Sequence, residues 1–372
     1  MSALPKLLFF VSEDWYFCSH RLPLAVAASK AGYSVSVLTR VNRHGEAIRG
    51  AGLRLIPFPL SRRGMNPIGE FLTLARLLIV YLREKPDLVH HVAMKPVLYG
   101  TFAARLAGVP CVVNALAGMG WLFTSESAMA RRLNPVVRLA FRFLLGPTQV
   151  IVQNPDDAMF MGALGLGHIR IVRGSGVDTR HFQPRAEEPG IPLVVLPARM
   201  LWDKGIGEFV EAARQLKARG VGGRFALVGA PDNENPASIP LKQLEDWRSE
   251  GVVEYWGHRD DMSEVLSRAH LVCLPSYREG LPKVLLEAAA CGRPMVATDA
   301  TGCREIVRDG ENGLLVPVRN SQALADAIEI LLGDADLRRR FGRRSREIVE
   351  HEFSLEQVVT DTLAIYREDQ PT

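Results

Sequence analysis

The sequence is poor in cysteine, and the few it has form no pattern. Five cysteines in 372 residues (Cys18, Cys111, Cys273, Cys291 and Cys303) are odd in number, and no two are spaced as CxxC. This excludes a disulfide framework and a thiolate zinc site, and suits a reducing cytoplasm. No apolar stretch reaches 18 uninterrupted residues, so no membrane span is expected. The opening MSALPKLLFFVSEDW has a short apolar run that soon meets acidic residues, which reads as a first strand rather than a secretory signal. Internal repeats and low-complexity tracts are also missing. So are the aromatic or groove-reading modules a nucleic-acid binder needs, and nucleic acid is not expected as a partner.

What is present is ordinary globular material, 47% hydrophobic and 23% charged, in a chain long enough for two cores. Short β-like runs alternate with helical ones. In the first half they are LLFFV (7–11), SVSVL (34–38), LRLIPF (53–58), DLVHHV (87–92) and CVVNAL (111–116). In the second they are PLVVLPA (192–198), RFALVG (224–229), VVEYWG (252–257), LVCLPS (271–276) and PMVATD (294–299). Read as buried strands between helices, they predict an α/β chain of two doubly wound, parallel-sheet domains. The Pro- and charge-rich FQPRAEEPGIP (182–192) marks the boundary: one domain over 1–185, a second over 186–352, and a terminal helix over 353–372 with Ser354 as its cap. Open α/β sheets bind ligands at the carboxyl ends of their strands, so a cleft between the two domains is the expected site.

Charge is divided unevenly. Residues 1–185 hold 22 Lys and Arg against 10 Asp and Glu; residues 186–372 hold 23 against 31. A basic first half fits an anionic membrane, a phosphorylated substrate or merely a solvated surface.

Two segments carry candidate chemistry. SYREGLPKVLLEAAACG (276–292) is the end of a strand, a turn, and a helix with Pro282 in its first turn. The free N–H groups around Gly280 to Lys283, where Leu281 and Lys283 flank the N–H-less Pro282, make an anion site together with the helix dipole. Glu279 and Glu287 flank it, placed to accept hydrogen bonds from hydroxyls at the two ends of a ligand with phosphates between, as in a nucleotide sugar. Two glutamates facing water remain the alternative on spacing alone. PARMLWDKGIGEFVEAA (197–213) places Arg199 and Lys204 at another strand-to-helix turn, where two cations can neutralise a diphosphate or stand as ordinary surface bases.

Together with GVDTRHFQP (176–184), LVG (227–229), YWGHRDD (255–261) and GCREIVRDGENGLLVP (302–317), these segments resemble the retaining GT-B glycosyltransferases of family 4 along nearly the whole chain. The resemblance implies two Rossmann-like domains facing across a cleft, the first binding acceptor and the second a nucleotide sugar. It implies that Arg199 and Lys204 bind the donor diphosphate, and that Glu279 with the amides of Gly280 and Leu281 holds the sugar. Glu287 holds the ribose, and Gly257 and Arg259 line the base pocket. No cofactor or metal is implied; Asp260 and Asp261 read as a helix cap rather than a metal pair. Many relatives carry a histidine after the fifth strand, where this chain has NALAGMGWLF (114–123) with Gly118 and Gly120 instead. His20, His91 and Lys95 are the remaining acceptor-side candidates.

SHRLPLAVAASKAGYSVSVLT and KPVLYGTFAARLAGVP also resemble bacterial members that extend surface polysaccharides on polyprenyl-diphosphate carriers. The expected partners are a UDP-linked sugar, a lipid-linked glycan and an anionic membrane on its cytoplasmic face. RRLNPVVRLAFRFL (131–144) sets Leu133, Val136, Val137, Ala140, Phe141 and Leu144 on one face and Arg131, Arg138 and Arg142 on another. That pattern suits a bilayer surface or a helix packed on the sheet; FLTLARLLIVYLREK (71–85) is similar. The alternatives are a soluble transferase with a small acceptor, a nucleotide-sugar epimerase of the same fold, or a non-catalytic nucleotide-sugar binder.

Overall fold

The computed structural model describes residues 4–60, 66–116, 128–232 and 234–368, with the side chains of 128–134 and 136 left aside. The chain forms two compact units: Met1–Ser175 with Glu356–Thr372, and Gly176–Leu355. The first boundary therefore lies between Ser175 and Gly176 rather than at 185. Residues 176–185 belong to the second unit because Val177 exchanges backbone hydrogen bonds with Phe353 and Leu355, each at 3.0 Å, and Phe182 joins its core.

In the first unit, β1 (Lys6–Glu13), β2 (Ser34–Arg40), β3 (Arg54–Pro57), β4 (Leu88–Val92), β5 (Cys111–Ala115), β6 (Gln149–Val152) and β7 (Ile169–Ile171) form one parallel sheet in the order β3-β2-β1-β4-β5-β6-β7. The second sheet contains β8 (Leu193–Pro197), β9 (Arg224–Val228), β10 (Glu254–Gly257), β11 (Leu271–Leu274), β12 (Met295–Thr298) and β13 (Gly313–Val316), ordered β10-β9-β8-β11-β12-β13. Helices cover both faces, so central strands such as β4, β5, β8 and β11 are buried throughout. β3 and β10 are not the buried strands expected. Each is the outermost strand of its sheet, with one neighbour, and stays partly exposed. In both sheets the order reverses beside the first strand of the unit, at β1/β4 and at β8/β11.

Seven described helices precede residue 175: α1 (Asp14–His20), α2 (Leu22–Lys30), α3 (Gly45–Gly50), α4 (Pro67–Glu84), α5 (Met94–Ala107), α6 (Ala128–Leu145) and α7 (Pro155–Ala163). Asn66 caps α4 by accepting from the Ile68 amide at 3.2 Å, with Pro67 in the first turn. Of the apolar face read from sequence on α6, Val137, Phe141 and Leu144 turn inward; the side chains of Leu133 and Val136 lie outside the described residues. Phe141 is fully buried, and Val137 and Leu144 pack on the same cluster as Val97, Val150 and Met161. Arg138 lies 4.7 Å over the Phe160 ring. These three residues serve the core and are not free for a bilayer; Leu139 and Phe143 beside them remain exposed.

The second unit carries α8 (Ile206–Ala218), α9 (Leu241–Ser249), α10 (Met262–Arg268), α11 (Lys283–Ala290), α12 (Ser321–Gly333) and α13 (Ala335–Glu352). The last helix, α14 (Leu355–Glu368), starts immediately after Ser354 and packs in the first unit. Val358, Ile365 and Tyr366 join the cluster of Leu7, Phe9 and Val11. Tyr366 is fully buried and its hydroxyl is hydrogen-bonded to His90 Nδ1, while His90 Nε2 is buried with no partner among the described residues. Burial holds His90 neutral, well below the ordinary histidine range.

Removing the hydroxyl strands a buried imidazole nitrogen, so Tyr366→Phe is expected to cost about 1–3 kcal/mol. The check is a drop in the urea midpoint of the first unit's unfolding transition; an unchanged midpoint contradicts the latch.

Candidate active site

β8 and β11 are hydrogen-bonded neighbours at the reversal point of the second sheet. The turns leaving them, Ala198–Gly205 and Pro275–Pro282, therefore emerge side by side at the carboxyl edge. They are packed too tightly to drift apart. Gly205 has φ +71°, and a Cβ there would stand 2.1 Å from the Pro275 carbonyl oxygen. The Asp203 carbonyl accepts from the Tyr277 amide at 2.9 Å and the Ser276 hydroxyl at 3.2 Å. A third turn closes on the second: the Glu279 amide donates to Thr301 O at 3.0 Å, and a Cβ on Gly302 (φ +83°) would meet Gly280 O at 2.6 Å.

Across the first two turns the Lys204 ammonium forms an ion pair with the Glu279 carboxylate, both side chains mostly shielded at 16% and 14% exposure. Arg199, more open, pairs with Asp232 at 2.7 Å, in the loop after β9. Glu287, in the second turn of α11, is buried, with Lys283 Nζ 3.1 Å away. Burial pushes its carboxyl above the usual carboxylate range, and the Lys283 charge opposes this only in part. Leu281 is buried, and Pro282 is the N-cap residue rather than part of the first turn, since α11 begins at Lys283. The first amides of α11 have no partner within the helix, as at any helix start.

Gly257 ends β10 with φ +66°, its carbonyl accepting from the Gly229 amide at 2.8 Å. Arg259 pairs with Asp261 at 2.7 Å on the surface. Asp261 does stand at the N-cap position of α10, but its side chain is taken by Arg259 and makes no capping bond. The expected cap is replaced by an ion pair.

The structure thus brings Lys204 and Glu279 into contact. Arg199, Gly257, Arg259, Gly280, Leu281, Pro282 and Glu287 follow the ends of β8, β10 and β11 in the same unit. Sequence reasoning missed the counter-ions Asp232 and Lys283. Lys283 was legible as the i−4 neighbour of Glu287; Asp232 had no signal beyond following a strand. It also missed Tyr277, which donates to Glu208 at 2.6 Å with the Arg319 guanidinium 4.7 Å over its ring.

The first-unit candidates fare differently. His91 is a core residue: fully buried, with Nδ1 2.8 Å from Asn114 Oδ1 and Nε2 3.0 Å from the Tyr81 hydroxyl, and shifted down to about 4 by burial. Neither nitrogen is left for a ligand. His20 stacks on Tyr16 with ring centroids 4.2 Å apart, its Nδ1 3.3 Å from the Tyr16 carbonyl. Lys95 pairs with Glu70 at 2.8 Å. Gly118 and Gly120 lie outside the described residues. Among the described residues no three His, Cys, Asp or Glu side chains cluster as a metal site.

Two doubly wound parallel-sheet units, with Lys204, Arg199 and the start of α11 at the carboxyl edge of the second, have the architecture of the GT-B class. The family model for glycosyl transferases group 1 matches residues 191–334, and that for glycosyl transferase 4-like domains matches 6–154. The chain is 30% identical to the N,N'-diacetylbacillosaminyl-diphospho-undecaprenol alpha-1,3-N-acetylgalactosaminyltransferase of Campylobacter jejuni over 88% of this chain and 89% of that protein. It is 23% identical to the capsular polysaccharide biosynthesis glycosyltransferase CapM of Staphylococcus aureus over 82% and 83%. Anabaena Alr3699/HepE, solved with UDP and glucose, superposes with a TM-score of 0.79 at 19% identity, covering 98% of this chain and all of that one. The protein belongs to the glycosyl transferases group 1 family and is a glycosyltransferase.

The raised Glu287 carboxyl has a pH signature. A folded-state pKa above the unfolded value means that its contribution is fully present below the unfolded carboxyl's pKa and is lost as pH rises through the raised folded one. Glu287→Gln is expected to remove this loss, so that wild-type stability falls relative to the variant as pH rises from the acid side toward neutrality. Urea unfolding of both proteins across that range tests it; parallel curves refute the assignment.

Proposed function

We propose that this glycosyltransferase moves a hexosyl or N-acetylhexosaminyl group from a UDP-linked sugar to a polyprenyl-diphosphate-linked glycan, with retention of configuration, in bacterial surface-polysaccharide synthesis. The observation that carries the reading is the Lys204–Glu279 ion pair at the reversal point of the second sheet. A diphosphate entering there competes with Glu279 for the Lys204 ammonium and with Asp232 for Arg199. Each carboxylate it displaces becomes an acceptor for sugar hydroxyls. The UDP-bound HepE structure supports the donor, and the relative that acts on diphospho-undecaprenol supports the acceptor.

In this reading the anomeric C1–O bond to the diphosphate breaks on the same face at which the acceptor oxygen bonds, through an oxocarbenium-like state. The leaving phosphate oxygen takes the acceptor hydroxyl's proton, so the diphosphate serves as base. Lys204 and Arg199 stabilise the charge that develops on it. No residue need act as nucleophile, and a metal is not required by this scheme.

Membrane attachment is part of the proposal, and α4 carries it. Among the described residues no helix is long and apolar enough to cross a bilayer. α4 nevertheless exposes Ile68, Phe71, Leu72, Ile79 and Leu82 on its outer side, with Arg76 and Arg83 also exposed. A basic apolar surface of this kind fits the anionic cytoplasmic leaflet.

Two measurements test the reading. Lys204→Ala is expected to lose roughly 3 kcal/mol of transition-state stabilisation, on the scale of one charge-stabilising donor. It should do so with UDP-sugar and a prenyl-diphosphate-linked acceptor, and near-normal turnover contradicts the role. Phe71→Asp with Leu72→Asp is expected to cut partitioning onto phosphatidylglycerol vesicles more than tenfold at low salt. Equal partitioning, or full activity on a small soluble acceptor without lipid, favours a soluble enzyme.

A further inference from the structure

The carboxyl edge of the first sheet holds a loop shaped from beneath by buried carboxylates. β1 ends on Glu13, and Asp14 opens α1; both are buried, Asp14 completely. Asp14 accepts the backbone N–H groups of Trp15 at 2.8 Å, Asn42 at 2.6 Å and His44 at 2.9 Å. Glu13 accepts from Asn42 Nδ2 at 2.9 Å and from the Arg40 guanidinium at 3.5 Å. Two acidic groups thereby fix the backbone and base of the segment Arg40–His44, which follows β2.

What that segment presents outward is basic. Arg43 is exposed and has no ion-pair partner among the described residues. The His44 side chain is 46% exposed, its Nδ1 is 3.9 Å from Asp14 Oδ1, and its Nε2 has no protein partner among the described residues. A burial cost is accepted to order a stretch whose free ends are a guanidinium and an imidazole. Surface bases that need only solvation require no such foundation. β2 adjoins β1 on the side away from β4, so the loop stands at the carboxyl edge of its sheet, one strand from the β1/β4 reversal point, and open α/β sheets take ligands along that edge. A guanidinium fork with a neighbouring imidazole N–H matches phosphate oxygens.

We propose that the Arg40–His44 loop is a diphosphate-binding site, with Arg43 and His44 as the contacting side chains, and that its ligand is the diphosphate of the lipid-linked acceptor. Naming the acceptor rests on the function proposed above; the existence of a diphosphate site in the first unit does not. The donor diphosphate is assigned to Lys204 and Arg199 in the second unit, so each diphosphate has its own cations. A headgroup of an anionic lipid offers the same phosphate chemistry and is separated by the test.

The experiment uses the full chain in an Arg199→Gln, Lys204→Gln background, in which the donor-side cations are gone, titrated calorimetrically with inorganic pyrophosphate. Binding is expected, weakened about tenfold by Arg43→Gln and by His44→Gln. Binding to phosphatidylglycerol vesicles is expected to be unchanged by either substitution. Absence of pyrophosphate binding, pyrophosphate binding indifferent to both substitutions, or a loss confined to vesicles overturns the proposal. UDP titrated into the wild-type protein is read separately; its failure to bind sinks the donor assignment and leaves this one standing.

Discussion

The Lys204–Glu279 ion pair joins the two turns that leave the reversal point of the second sheet. It exists because β8 and β11 are adjacent though far apart in sequence, and because the two turns that follow them are locked through Gly205, Pro275 and Asp203. An ion pair this shielded is not explained by stability, since desolvating both charges consumes much of what their attraction returns. It is better understood as a poised pair. Lys204, Arg199 and Lys283 each have a carboxylate partner, so three cations at the strand and helix ends stand already paired.

The first unit follows the same arrangement with different chemistry. Its sheet reverses at β1/β4, and buried carboxylates again stand at the carboxyl edge. Here Glu13 and Asp14 are satisfied largely by backbone amides, and the cations they support face outward. The paired histidines at the end of β4 belong to the interior instead. His90 is joined to Tyr366, and His91 to Asn114 and Tyr81. Their burial keeps both neutral, which suits scaffolding rather than proton transfer.

Much of this was legible in the sequence, for identifiable reasons. Short continuous apolar runs such as LLFFV and LVVLP, rich in β-branched or aromatic residues, suit strands covered on both sides, and their alternation with helices points to a doubly wound sheet. The placement of Arg199, Lys204, Glu279 and Glu287 near strand and helix ends was legible because each sits within a few residues of such an end, where local geometry dominates. What was not legible depends on distant partners. His91 in DLVHHV has no local mark telling a core residue from a ligand. Nothing near Arg138 reveals that Phe160 will lie beneath it, and the inward turn of Phe141 is set by Val97 and Met161. Asp261 was read as a cap from position alone, while Arg259, two residues away, took its carboxylate. The domain boundary was placed on composition, but the backbone bonds of Val177 to Phe353 and Leu355 decided it.

The return of α14 to the first unit bears on the order of assembly. Tyr366 fills space against Leu7 and Phe9 and meets His90, 276 positions earlier in the chain. The whole second unit, Gly176–Leu355, lies between them in sequence. Domains tend to fold in order as they emerge from the ribosome. Here the earlier unit keeps part of its apolar interior uncovered until the later unit has been made and α14 has docked.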